Sequence, residues 1–212
     1  MRTNGPAGRD SPTARLSALE ASLIGGMGLV STWASFAAAP GWNGAAGAAL
    51  AALALAIAVV DRRALIIPDS LNALAFAAGM AAAALAAPGE AGGAILRAFL
   101  RAAVMFGAFF AFRAAYRRLR GFDGLGLGDV KLAAVAGVWL DWSDLPVAVE
   151  IAALAALAAA FVGRLGGKDL DLRAKLPFGA FFAPAIWLCW LFAAWRDGAP
   201  LESSLAALTA AQ

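Results

Sequence analysis

Residues 44–60 read GAAGAALAALALAIAVV, from Gly44 to Val60, and the run stops at Asp61-Arg62-Arg63. A helix needs roughly 20 apolar residues, with a range of about 17–25, to cross a hydrocarbon core of about 30 Å. This stretch meets that requirement without a polar interruption. Six further segments approach it, at about 21–39, 70–87, 93–112, 130–145, 147–163 and 177–195. The chain is 62% hydrophobic, against about 45–50% for soluble domains, so the bilayer is its expected solvent. Ala, Leu, Gly and Val carry the excess, giving slim helices that pack through small residues. The expected fold is all-α: a polytopic transmembrane helix bundle of about seven spans.

Residues 1–20 hold Pro6, Gly8, Pro12 and three arginines and read as a flexible tail. Residues 21–196 form the transmembrane unit, and 197–212 a short tail on the far side. The first span could be taken for a secretory signal, since it ends in Ala37-Ala38-Ala39. Its length, the following Pro40 and the six later spans favour an uncleaved anchor.

Lys and Arg concentrate on the cytoplasmic side of membrane proteins. With the amino terminus inside, that side receives Arg2, Arg9, Arg15, Arg62, Arg63, Arg113, Arg117, Arg118, Arg120, Lys131, Arg164, Lys168, Arg173 and Lys175, which is 14 of the 17 basic residues. The amino terminus is therefore expected in the cytoplasm. The net charge of +3 then describes a basic face suited to anionic lipid, not a nucleic-acid site.

Histidine is absent and the single cysteine, Cys189, lies in an apolar run. These absences exclude a Ser-His-Asp or Cys-His site, an HExxH zinc site and a CxxC zinc pair. Acid–base chemistry must use carboxylates, the three lysines or Tyr116. No metal or cofactor is expected.

Two acidic motifs fall at the cytoplasmic ends of helices. The first is Asp61-Arg62-Arg63-Ala64-Leu65-Ile66-Ile67-Pro68-Asp69-Ser70-Leu71-Asn72. Pro68 stops one segment and lets the next begin with Asp69 or Ser70 near its N-cap. The plain reading of Asp69 is a helix cap, and that of Asp61 an interfacial carboxylate paired with Arg62 or Arg63. The second motif is Gly124-Leu125-Gly126-Leu127-Gly128-Asp129-Val130-Lys131-Leu132. Its glycines permit backbone conformations and approaches closed to other residues. The apolar stretch after it, Leu132–Leu140, is only about 14 Å of helix, before Asp141 and Asp144 mark the outer boundary. The glycine loop is thus expected to dip below the cytoplasmic surface, which irregular backbone tolerates only inside protein or beside water. Asp129 could simply cap the fifth span. Two carboxylates brought close resist joint ionisation and share a proton, so Asp61 and Asp129 are a candidate acid–base pair. An ionisable group at such depth is a functional candidate by default.

The pattern D-x6-PD-x-LN, then GLGLGDVKL, then Pro177-Phe178-Gly179 opening the last span, resembles the bacterial type IV prepilin peptidases, a branch of the GxGD membrane aspartic proteases. The resemblance covers the chain from the second to the seventh span. It implies that Asp61 and Asp129 are the catalytic pair. It also implies that the protein removes the short basic leader from a prepilin or pseudopilin, just after a glycine, at the cytoplasmic face of the inner membrane. Many members carry a methylating domain with paired CxxC motifs, and its absence here implies a peptidase without methylase. Members often have Glu before the glycine motif, where this chain has Asp123. Around the pair, Asp69, Asp123, Gly126, Gly128, Lys131, Pro177, Phe178 and Gly179 are expected to support the site or bind substrate. Lys131 could orient a substrate carbonyl or reach lipid phosphate, and Pro177-Phe178-Gly179 could serve the site or only helix packing. The expected partners are the prepilin-like substrate and membrane lipid, with room for a homodimer. A small transporter using intramembrane acids and a non-catalytic scaffold of a pilus or secretion system remain the alternatives. Finally, Arg97 and Arg101 share a helix face at the outer boundary, where Glu150 is an expected partner unless both arginines snorkel.

Overall fold

The computed structural model describes residues 18–166 and 177–210, with side chains as far as Gly198. Most of the amino-terminal tail, with Arg2, Arg9 and Arg15, and the later cations Lys168, Arg173 and Lys175 lie outside the described residues. The elements are α1 (Ala18–Ala38), α2 (Trp42–Ala64), α3 (Asp69–Ala86), α4 (Ala91–Arg120), α5 (Leu127–Trp139), α6 (Asp144–Leu165) and α7 (Gly179–Ala210). No strand occurs among the described residues. The protein is an all-helical, multi-pass membrane protein. The last helix continues to Ala210, past the end of the expected span at 195.

Six of the helices are long and apolar enough to cross a membrane. The exception is α5, whose 13 residues make only about 20 Å of helix. A helix of that length cannot reach both surfaces of a core of about 30 Å. It survives because protein surrounds it: α3, α4 and α7 all pack on it, and Val130, Leu132, Ala133, Val135, Ala136, Gly137, Val138 and Leu140 are buried. The outer helices turn large side chains outward, among them Leu29, Trp33 and Leu165, each more than 70% exposed. That is the distribution expected where the surrounding solvent is hydrocarbon.

The contact between α4 and α5 depends on Gly137. A Cβ there would lie 2.6 Å from the Ala102 backbone, so the two helix backbones touch. Close approach of this kind is what small residues allow between membrane helices. Gly137→Val is expected to cost about 1–3 kcal/mol through overpacking, read as a lower unfolding temperature in detergent. An unchanged melting temperature would show that the helices are not in backbone contact.

The same crossing decides the ion pairs at this end of the bundle. Arg101 donates from Nε to the Gly137 carbonyl at 3.1 Å and pairs through Nη1 with Asp141 at 3.0 Å. Its partner is therefore Asp141, not the expected Glu150, which is exposed on α6. The reason is positional: α4 lies on α5, so Arg101 meets the C-terminal end of α5, where carbonyls attract a cation. Arg97 is exposed. Arg196 on α7 reaches Asp144 at 3.5 Å.

Candidate active site

At the other end of the bundle, α2 stops where Leu65 enters the left-handed region at φ 53° and donates its amide to the Asp61 carbonyl. The chain then passes without regular structure through Ile66 and Ile67 to Pro68, from which α3 starts. Asp61, in the last turn of α2, is only 5% exposed. Its Oδ2 accepts the Ala180 amide at 2.9 Å, an amide shared with the Pro177 carbonyl, so Asp61 caps the start of α7 from a different helix. The alternative of a pair with Arg62 or Arg63 is not realised. Both arginines reach Glu20 of α1, at 3.6 and 3.1 Å, because residues one or two apart on a helix do not face each other.

Asp129 is the third residue of α5, and its Oδ2 accepts the Gly126 amide at 3.2 Å. The N-cap of α5 is therefore Gly126 and not Asp129, which stands at the third helical position and reaches back to the cap amide. Its other oxygen, Oδ1, is buried with no hydrogen-bond partner among the described residues. Asp61 and Asp129 line the same pocket, and Gly179 stands directly against Asp61. Ile67 fills the space between two glycines: a Cβ on Gly179 would sit 2.5 Å from its Cδ1, and one on Gly128 3.0 Å from its Cβ. Thus the α2–α3 connection, the glycine turn and the start of α7 meet around one buried isoleucine.

A pocket of about 300 Å³ opens beside them, lined by Asp61, Leu65, Ile66, Ile67, Asp69, Gly126, Leu127, Gly128, Asp129 and Lys131. Of the expected supporting residues, Asp69, Gly126, Gly128 and Lys131 are on this wall, and Gly179 abuts Asp61. The Lys131 Nζ binds Asp69 at 2.6 Å, bridging the first turns of α3 and α5. For the same reason Asp69 makes no side-chain cap for α3, whose N-cap is Pro68. Asp123, Pro177 and Phe178 are not on the pocket wall. Asp123 accepts from Arg113 at 2.6 Å, and Arg113 also binds the Leu125 carbonyl, which moors the glycine turn to α4. Phe178 packs at a tilt on Phe182, with ring centroids 5.3 Å apart, and Phe182 stacks on Phe109 of α4 at 5.6 Å, a packing role.

Sequence reasoning gave no role to Asn72, Ile67, Arg113 or Ala180, although Asn72 closes the D-x6-PD-x-LN pattern. Asn72 is 4% exposed and donates from Nδ2 to the Gly128 carbonyl at 3.2 Å. A polar residue inside an apolar helix was the available signal for it. Ala180 acts through its backbone, which no residue type could announce.

None of the ion pairs among the described residues includes Asp61 or Asp129. The nearby cations Arg62, Arg63, Arg113 and Lys131 all engage other acids. Fold and site together define a class: a multi-pass helical membrane protein in which two carboxylates from separate helices, held by backbone amides, converge on one pocket. Residues 48–163, more than half of the chain and containing both aspartates, match the type IV leader peptidase family, and the chain belongs to that family. It is similar to a prepilin leader peptidase/N-methyltransferase of Aeromonas hydrophila, 29% identical over 171 residues, covering 80% of this chain and 56% of that protein. One of the same description from Burkholderia pseudomallei (strain K96243) is 34% identical over 145 residues, covering 66% and 45%. The leader peptidase HopD of Escherichia coli is 43% identical over 84 residues, covering 40% and 54%. The chain spans about half the length of these curated relatives. No solved structure matches it.

Proposed function

We propose that this protein is a membrane-embedded aspartic endopeptidase that removes the leader of a type IV prepilin or pseudopilin, with Asp61 and Asp129 as the catalytic pair. The observation that carries the reading is the convergence of two carboxylates, neither of them in an ion pair among the described residues, on the 300 Å³ pocket. Family membership and the names of the relatives support the substrate class. In the proposed reaction the ionised aspartate takes a proton from water as the oxygen attacks the scissile carbonyl, and the neutral one protonates the carbonyl oxygen. Collapse of the tetrahedral intermediate then breaks the C–N bond: the departing amine receives the proton held by the first carboxyl, while the re-forming carbonyl returns its hydroxyl proton to the second. A cation bound to either aspartate would favour its charged form and oppose this division of labour.

The site is proposed to face the cytoplasm from the inner membrane. The support is the distribution of Lys and Arg, which puts 14 of 17 on the side of the aspartates. The direct test is incubation of the purified protein in detergent with a candidate prepilin, followed by sequencing of the product's amino terminus. The expected product starts immediately after the leader, and an uncut prepilin under conditions where the protein is folded would overturn the reading.

Metal independence is a separate expected result, since the proposed water activation uses carboxylates alone. Chelators should leave the cleavage rate unchanged. Loss of cleavage that added zinc restores would contradict the two-carboxylate mechanism.

A further inference from the structure

We propose that Asn72 is a positioning residue for Asp129, acting through the Gly128 carbonyl. Asn72 sits in the first turns of α3, 4% exposed, and its Nδ2 donates to the Gly128 oxygen at 3.2 Å. That oxygen belongs to the peptide unit whose nitrogen is Asp129's own. The same unit is blocked on another side by Ile67, 3.0 Å from where a Gly128 Cβ would stand. Together the amide and the isoleucine fix the height and tilt of the glycine turn, and so the direction in which the unpartnered Oδ1 of Asp129 points.

The second observation is what Asn72 leaves undone. Its own Oδ1 is buried with no hydrogen-bond partner among the described residues. A buried, unsatisfied acceptor costs stability, and an apolar side chain of the same shape would avoid that cost. Packing alone would therefore favour an apolar side chain such as leucine at this buried position. A half-satisfied amide in that place fits a side chain whose use is the one bond it does make.

The test compares wild type with Asn72→Leu, which fills the volume and removes the donor, and Asn72→Gln, which keeps the donor one methylene further out. Asn72→Ala replaces the leucine variant if that one fails to insert. Hydrogen exchange of residues 124–132 should become about tenfold faster in Asn72→Leu, while its unfolding temperature in detergent stays equal or rises. The cleavage readout rests on the peptidase reading above: kcat should fall roughly 10–100-fold, as for a reacting group displaced by about 1 Å, with KM unchanged and partial recovery in Asn72→Gln. A residue that merely stabilised the fold would lower the melting temperature together with activity, and that result would overturn the proposal. So would unchanged exchange over 124–132. If the wild type cuts no prepilin, the functional reading fails while the exchange measurement still decides the role of Asn72.

Discussion

Asp61→Asn and Asp129→Asn are each expected to reduce leader cleavage by roughly 10²–10⁴-fold, the usual contribution of a general acid or base. Asparagine preserves the shape and keeps an oxygen for the hydrogen bonds seen here, Ala180 to Asp61 at 2.9 Å and Gly126 to Asp129 at 3.2 Å. The helix starts of α7 and α5 therefore stay capped, and both variants should insert and unfold like the wild type. What they lose is the capacity to exchange a proton. Asp141→Asn provides the control, because Asp141 belongs to the ion pair with Arg101 at the far end of the bundle and should leave cleavage nearly normal. The measurement is the initial rate of leader removal from one prepilin at matched amounts of folded protein. Full processing by either asparagine variant at the site would remove the pair from the mechanism.

Gly179→Val should be nearly as damaging, although it removes no functional group. The first carbon added at position 179 lies 2.5 Å from the Ile67 Cδ1 and 3.0 Å from the Asp61 Oδ2. The terminal methyl of Ile67 could swing aside for an alanine, so Gly179→Ala is expected to be the milder variant. A valine needs more room than that. Moving the terminal methyl alone does not provide it, since the Ile67 Cγ1 also lies 3.1 Å from the added carbon, and Ile67 packs against Gly128 on its other side. The strain therefore reaches both carboxylates, one directly and one through the glycine turn. A displacement of about 1 Å in a reacting group can cost about 100-fold in rate, and overpacking of this kind costs about 1–3 kcal/mol of stability. Leader cleavage and thermal unfolding of the same preparations separate the two effects. Wild-type rates from Gly179→Val would mean that Gly179 does not form a wall of the site.

The residues differ in how openly their chemistry is written. Asp61 and Asp129 stand out because charge is rare in apolar sequence, and the lack of histidine leaves few other candidates for acid–base work. Their immediate surroundings were harder to read. Arg62 and Arg63 adjoin Asp61 in sequence yet pair with Glu20, 42 and 43 positions away. Lys131, two residues from Asp129, pairs with Asp69 across the bundle. Adjacent residues on a helix point to different faces, so chain proximity misassigns the partners of charged side chains. Arg101 taught the same lesson at the opposite end, where Asp141 took the place expected for Glu150.

Sequence by itself determined the all-helical membrane class, because the length and apolarity of each span follow from the thickness of hydrocarbon and from local composition. It also determined that α5 would fall short and that a glycine turn would precede Asp129. Only the tertiary structure decided that the Ala180 amide holds Asp61, that Asn72 reaches the Gly128 carbonyl, and that Ile67 fills the gap between Gly128 and Gly179. These contacts join residues 119 and 56 positions apart in two of the three cases, and two of them end on backbone atoms that every residue type carries. Their existence depends on how the helices cross, a property of close packing among all seven helices that no single segment encodes.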